Sequence, residues 1–203
     1  MRKCAALLVV CAVVCAVAGA DVIYSNFGTG DSYNLSFAWA VRGPSAPLGE
    51  RQPAMAFTPG GDYFLDDVDV ALGQYSGNSQ VDVMVAADNS GVPGSIVDQT
   101  TVTAPASSAV ITASFSGTTQ LDQGEQYWVW LASQTDGDNG WNWNDQGDTA
   151  LSAVWTPAAG WVASSGTTRS AFRVEGTLVP EPGTFVLLGL GAVGLALYRR
   201  RKQ

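Results

Sequence analysis

Apolar and polar side chains alternate in steps of two along the middle of this chain. In YFLDDVDVAL, Phe64, Asp66, Val68 and Val70 alternate with Leu65, Asp67, Asp69 and Ala71. In QVDVMVAAD, Val81, Val83 and Val85 alternate with Asp82, Met84 and Ala86. A two-residue period over such lengths predicts half-buried β-strands. Residues 96–103, 109–116, 126–132 and 168–175 are further runs rich in Val, Ile, Thr, Trp and Tyr. Turn formers separate them: Thr58-Pro59-Gly60-Gly61, Ser76-Gly77-Asn78, Asn89 to Gly94, Ser116-Gly117, Asp122-Gln123-Gly124 and Ser165-Gly166. Short strands at near-regular spacing with no helical stretch predict an all-β fold, an antiparallel β-sandwich of jelly-roll-like type.

The two ends break this pattern and divide the chain into three. Residues 1–20, MRKCAALLVVCAVVCAVAGA, have a cationic start, an apolar stretch and a small-residue site at Ala18-Gly19-Ala20, the layout of a secretory signal peptide cut before Asp21. A lipoprotein signal is disfavoured because Cys15 follows Val13-Val14. Residues 21–178 form the exported β-sandwich domain. Residues 179–203 hold Val179-Pro180-Glu181-Pro182, an apolar run and the basic tail Arg199, Arg200, Arg201 and Lys202. The run from Phe185 to Tyr198 gives about 21 Å of helix at 1.5 Å per residue. That is short against the ~30 Å hydrocarbon core, although Gly183 and Thr184 add length and the arginines can snorkel. A transmembrane helix over 183–198 is therefore expected, with the basic tail at 199–202 held on the cytoplasmic side. Gly189, Gly191 and Gly194 spell a dinucleotide-binding fingerprint, but no strand-turn-helix unit surrounds them.

Charge and composition narrow the function. Residues 21–182 contain all 18 acidic residues against four arginines (Arg42, Arg51, Arg169 and Arg173), a formal charge of −14. Such a field repels phosphate backbones and excludes nucleic acid as a partner. Cys4, Cys11 and Cys15 all lie in the first 20 residues, so the domain proper has no disulfide, thiolate metal site or cysteine nucleophile. The chain has no histidine, residues 21–182 have no lysine, and no Gly-x-Ser-x-Gly elbow occurs, which removes the usual base for a serine nucleophile. A paired-carboxylate glycosidase needs only Asp and Glu. Acidic residues are nevertheless expected on any acidic exported domain, and the chain is read as non-enzymatic.

Two resemblances rest on these motifs. The order Val179-Pro180-Glu181-Pro182, short apolar helix, Arg-Arg-Arg-Lys at the C-terminus resembles the PEP-CTERM sorting signal of exported bacterial proteins. That resemblance implies an exosortase, a membrane-embedded transpeptidase-like enzyme, as partner, with cleavage near the Pro-Glu-Pro. The middle is similar to the choice-of-anchor R domain over about residues 23–176, through QPAMAFTPGGDYFLDDVDVALG, VDVMVAADNSGVPGSIVDQTTV, GEQYWVWL and SSGTTRSAFRVEG. That resemblance implies an exported, β-rich module and no particular chemistry.

The densest polar and aromatic stretch is SQTDGDNGWNWNDQGD, residues 133–148. Trp141 and Trp143 lie two apart and share a strand face. They could form a stacking platform for sugar rings, with Asn142, Asn144 and Asp145 beside them for hydroxyls, or one or both could pack in the core under a polar loop. Asp136, Asp138 and Asp145 are candidate calcium ligands in the same loop, with Asn139 and Asp148 nearby. The loop is not an EF-hand, since Trp141 stands where that motif needs glycine and no glutamate occupies the twelfth position. A solvated acidic loop is the competing account, and no cofactor beyond this calcium is expected. Asp62, Asp66, Asp67 and Asp69 gather around one strand and are read as charges guarding a free sheet edge. Trp128 and Trp130 share one face of YWVWL while Val129 and Leu131 fill the other, which predicts a strand buried on both sides. The expected function is that of an exported surface or extracellular-matrix protein, reached through an inner-membrane-anchored precursor. The alternative is a carbohydrate-binding module for exopolysaccharide or other glycans.

Overall fold

The computed structural model describes residues 19–180. The expected signal peptide up to residue 18, the expected helix over 183–198, Glu181, Pro182 and the basic tail at 199–202 lie outside them. The described residues form thirteen strands and no helix. In chain order these are β1 Asp21–Ser25, β2 Ala38–Arg42, β3 Gln52–Phe57, β4 Tyr63–Ser76, β5 Gln80–Asp88, β6 Pro93–Thr103, β7 Ala109–Ser114, β8 Gln120–Leu121, β9 Tyr127–Ser133, β10 Asp138–Asn142, β11 Ser152–Thr156, β12 Gly160–Ser164 and β13 Phe172–Leu178. All pair antiparallel in two sheets. A six-stranded sheet runs β12-β11-β3-β9-β5-β6, and a seven-stranded sheet is organised around β4.

The fourteen-residue β4 is long enough to hold two partners end to end on one flank. Asp67 to Val70 pair with both β13 and β7, which must therefore lie on opposite sides. Leu72 pairs with both Trp141 of β10 and Ala109 of β7, so β10 follows β13 along the same flank. Beyond them the sheet divides into two branches, β13 to β1 and β10 to β2. At the fork the two branches bond to each other, with the Ala171 N–H donating to Asn142 O at 2.8 Å and the Asn144 N–H to Arg169 O at 2.9 Å.

The core lies between the sheets. Leu65, Val68, Val70 and Leu72 of β4, Phe172 and Val174 of β13 and Trp141 of β10 meet Met55 and Phe57 of β3, the three valines of β5, and Tyr127, Val129 and Leu131 of β9. Each such side chain contributes about 1.5–3 kcal/mol when fully buried. The core positions of β4 are three apart from Leu65 to Val68 and two apart afterwards, which departs from strict alternation. The cause is a β-bulge: Glu175 faces Asp67 while Gly176 faces Leu65, leaving Asp66 as the extra residue. A Cβ on Gly176 would collide with the Phe64 carbonyl oxygen, so the bulge needs glycine there.

The acidic group on β4 does not guard an edge. β4 is flanked on both sides by other strands, and Asp69 is only 3 % exposed. Asp69 accepts a 2.6 Å hydrogen bond from Thr112 Oγ1 and pairs with the Arg173 guanidinium, which also reaches Asp31 at 2.8 Å and Glu175 at 2.9 Å. One guanidinium thus neutralises carboxylates from two adjacent strands and a loop, and Asp69 can be buried because it is paired.

A second ion pair closes one end of the sandwich. Arg169 is 1 % exposed, and its guanidinium lies against the rings of Tyr24 and Phe172, 5.4 and 5.2 Å from their centroids. It donates to Asp148 Oδ2 and to the Tyr24 hydroxyl, both at 3.0 Å, and to the Ala56 carbonyl of the opposite sheet. Asp148 Oδ2 also accepts from Tyr24 at 2.7 Å and Asn26 at 2.9 Å. Asn26 in turn donates to Ser170 O and accepts from the Phe172 N–H. Burial pushes the Asp148 carboxyl up, but hydrogen bonds from the Ala150 N–H, Tyr24 and Asn26 and the Arg169 charge outweigh it and hold its pKa below the ordinary carboxylate value.

A carboxyl whose pKa is lowered by folding stabilises the native state above its unfolded value, about 4, and loses that contribution as pH falls through the folded value. Replacing Asp148→Asn leaves Arg169 buried without a counter-charge. Urea unfolding at pH 7 is expected to show a loss of about 3–5 kcal/mol, and the variant is expected to lose less further stability than the parent between pH 5 and pH 2. Equal acid sensitivity in both proteins would contradict this account of the pair.

Candidate functional site

The structure divides the 133–148 stretch between core, loop and surface. Trp141 is fully buried, its ring edge-on to Phe172 at 6.0 Å and its Nε1–H donated to Ala171 O at 2.9 Å. It has no free face, so the pairing of Trp141 with Trp143 as a sugar platform is corrected: Trp141 belongs to the core. The two share a strand parity, but Trp143 lies beyond the end of β10, where the sheet forks and an isolated bridge joins Trp143 to Ser170. There its ring stacks on Phe37 at 5.1 Å and stays partly exposed. Phe37 and Leu35 beside it in sequence are 57 % and 72 % exposed.

The polar candidates are occupied by the fold. Asn142 donates to Asn34 O at 3.1 Å. Asn144 donates to Asp148 O and Arg169 O, and its Oδ1 accepts the N–H groups of Gln146 and Asp148, so this buried side chain shapes the loop. Asp145 is exposed and accepts from Gln146 and Ser32, bonds that hold its carboxyl below the usual range.

The calcium arrangement is not assembled either. Asp136 accepts the Asn78 N–H and the Thr135 hydroxyl, Asp138 pairs with Arg42 at 3.1 Å, and Asp145 is engaged as above. Among the described residues no group of three or more His, Cys, Asp or Glu side chains converges as a metal site. The three aspartates are close in sequence, but β10 begins at Asp138 and carries the chain away from Asp136 before Asp145 is reached.

Among the described residues, two surfaces gather tryptophan rings. The first is a cleft of about 300 Å³ at the outer edge of β2, lined by Ala38, Trp39, Ala40, Arg42, Arg51 and Trp143. The Arg51 guanidinium lies 5.3 Å from the Trp39 ring centroid, and the Trp39 Nε1–H is donated to Thr168 O. The second is the outer face of the six-stranded sheet. There Trp128 is buried over a floor of Ala54, Ala56, Ala86 and Ala153, with Trp130, Leu151 and Trp161 packed on it. Trp130 meets Trp161 edge to face at 5.1 Å, and Trp155 lies directly opposite Trp161 in the β11–β12 pair. Trp130 donates to Gln52 Oε1 and Trp128 to Asp88 Oδ1. YWVWL is thus apolar on both faces as expected, with Trp130 partly open to solvent.

Sequence reasoning missed Trp155 and Trp161. The signal was the symmetry of Trp155-Thr156-Pro157-Ala158-Ala159-Gly160-Trp161, two tryptophans flanking a turn whose Gly160 has φ of +65°. Trp39 and Arg51 were also missed, because they meet through the β2–β3 connection and not through spacing.

β13 ends at Leu178, and the Val179 N–H donates to Asp62 O at 2.8 Å. Of the sorting residues, Val179 and Pro180 fall within the described part, and they follow the last strand without a linker. No curated protein matches the chain. Residues 178–202 match the PEP-CTERM protein-sorting motif, which marks the chain as an exported protein whose membrane-anchored precursor is handled by an exosortase.

Proposed function

We propose that the chain is a non-enzymatic surface or extracellular-matrix protein whose β-sandwich is delivered by its PEP-CTERM signal and acts there through binding or structure. The match over residues 178–202 carries this reading. The absence of histidine from the chain and of lysine and cysteine from residues 21–182 supports it. The likeness of residues 23–176 to the choice-of-anchor R domain fits the same export. In this reading Val179, Pro180, Glu181 and Pro182 are the processing motif, residues 183–198 hold the precursor in the inner membrane, and Arg199, Arg200, Arg201 and Lys202 stay inside. The domain works without a resident cofactor, calcium included.

A host with an active exosortase is expected to release a product lacking the residues beyond the Pro-Glu-Pro, read by intact mass. A host without the enzyme is expected to keep the full-length chain in the inner membrane. Full-length chain with an intact tail in both hosts would overturn the sorting assignment. Chelation with EDTA is expected to leave the thermal unfolding midpoint unchanged. A fall of several degrees, reversed by calcium, would restore the metal reading.

Carbohydrate binding is the second reading, favoured by the ring-bearing outer face of the six-stranded sheet. Partly exposed Trp130, Trp155 and Trp161 offer stacking surfaces, and Gln52 and Glu50 offer hydroxyl partners at their border. The four arginines of residues 21–182 are placed elsewhere, so a neutral glycan suits the face better than an acidic one. In affinity electrophoresis through neutral polysaccharide, the parent is expected to be retarded, a Trp130→Ala, Trp161→Ala variant much less so, and Trp143→Ala equally. Retardation lost in Trp143→Ala alone would return the site to the 133–148 loop.

A further inference from the structure

β2 is an edge strand with a defined set of open backbone groups. It pairs with β10 along its length, and on its other side only Arg42 is met, by Arg51. Arg42 and Arg51 exchange both backbone bonds, at 2.8 and 3.1 Å, so the polar groups of Arg42 point away from β10. Peptide groups in an antiparallel strand alternate sides residue by residue. The N–H and C=O of Ala40 and Ala38 therefore point the same way as those of Arg42, outward. Phe37 confirms the phase, since its carbonyl accepts the Trp143 N–H on the β10 side. After Arg51 the chain leaves for the other sheet, where β3 pairs with β11 and β9. The outward groups of Ala38 and Ala40 thus face the cleft lined by Trp39, Arg42, Arg51 and Trp143, with no strand beside them among the described residues.

The charge of this cleft runs against the rest of the domain. Arg42 and Arg51 stand directly opposite each other, an unfavourable placing of like charges. One carboxylate, Asp138, reaches Arg42, and among the described residues none reaches Arg51. Burial and then the nearby Arg42 charge lower the Arg51 pKa, the response of a cation short of an anionic neighbour. Charged side chains often guard a free edge. Here Arg42 is drawn to Asp138 and Arg51 lies over Trp39, and the space between them stays open.

We propose that the free edge of β2 takes up an extended acidic peptide segment as an added strand, its backbone paired with Ala38 and Ala40 and a carboxylate set against Arg51. Strand addition of this kind draws affinity from main-chain bonds and specificity from side-chain pockets. The small side chains of Ala38 and Ala40 leave room for the incoming strand. Arg51 selects for charge, and the Trp39 and Trp143 rings supply apolar contact. The proposal rests on the reading of the domain as an interaction protein, but not on its sorting, which is scored separately by processing of the tail.

The test is selection of random peptides of about twelve residues, displayed on phage, against the immobilised full chain. Recovered sequences are expected to carry Asp or Glu among alternating β-branched residues. Their synthetic forms are expected to bind Arg51→Gln about tenfold more weakly and to lose binding when alternate amides are N-methylated. Ala40→Pro is expected to abolish binding while keeping the thermal midpoint close to that of the parent, because the lost N–H points outward and proline is tolerated on an edge. Should that variant fail to fold, the N-methylated peptides test the backbone pairing without it. Recovery of no peptide, equal binding of N-methylated and plain peptides, or indifference to Arg51→Gln would overturn the proposal. Arg51-dependent binding of polygalacturonate with no peptide recovered would also overturn it and assign the cleft to acidic glycans.

Discussion

The buried guanidinium of Arg169 is the fixed point on which one end of this sandwich depends. A charge cannot be left in a low-dielectric interior without a partner, and the chain answers with groups from three separate segments. Asp148 supplies the counter-charge, Tyr24 and Asn26 of the first strand and its continuation hold Asp148 in place, and the Ala56 carbonyl reaches across from the opposite sheet. Tyr24 and Ala56 are each over a hundred residues from Arg169 in sequence, so the network registers the N-terminal strand against the C-terminal one. It also sits at the fork. Residues 142–144 and 169–171 bond to each other beside Arg169, where the pairing of β10 with β4 has ended at Trp141.

The fork decides what can be a surface. Because β10 peels away with β2, Trp141 is the last ring that the core can cover, and Trp143 emerges against Phe37. Because β3 crosses to the other sheet directly after Arg51, β2 is left with an open edge. The six-stranded sheet has no such fork, and its outer face is continuous. Its alanines leave room for the tryptophan rings, with Trp128 buried and Trp130 set edge to face against Trp161.

Much of the fold was legible in the sequence because strand periodicity and turn chemistry are local. The alternation at Val81, Val83 and Val85 marks the core face of β5 correctly, and the glycines at 77, 91, 117 and 124 all adopt positive φ at the turns they signalled. The errors share a cause. Strict alternation through Leu65, Asp66 and Asp67 hides a bulge that depends on Gly176, more than a hundred residues away. Asp69 looks like an edge charge until Arg173 is placed opposite it by pairing between β4 and β13. Trp141 and Trp143 have the same parity, and only the fork assigns them to different environments. Asp136, Asp138 and Asp145 are likewise close along the chain without converging in space, because the strand that starts at Asp138 separates the carboxylates.

The place where the domain meets its sorting signal links fold to delivery. β13 pairs with β1 on one side and β4 on the other, and it carries Arg173 and continues directly from the Arg169 segment. Its pairing runs to Leu178, and the Val179 N–H adds one further bond to the Asp62 carbonyl. Pro180 has no N–H to continue the ladder, so the sheet stops where the motif begins. Every strand bond of the described domain is therefore made before the Pro-Glu-Pro is complete, and removal of the residues beyond that motif takes no strand from the fold. The tight junction also limits access: an enzyme acting at the motif must work within a few residues of a folded sheet. Peptide groups up to Leu178 are held in the β ladder, and the Val179 N–H makes the last backbone bond of the described residues, so the ordered sheet reaches the first residue of the sorting motif.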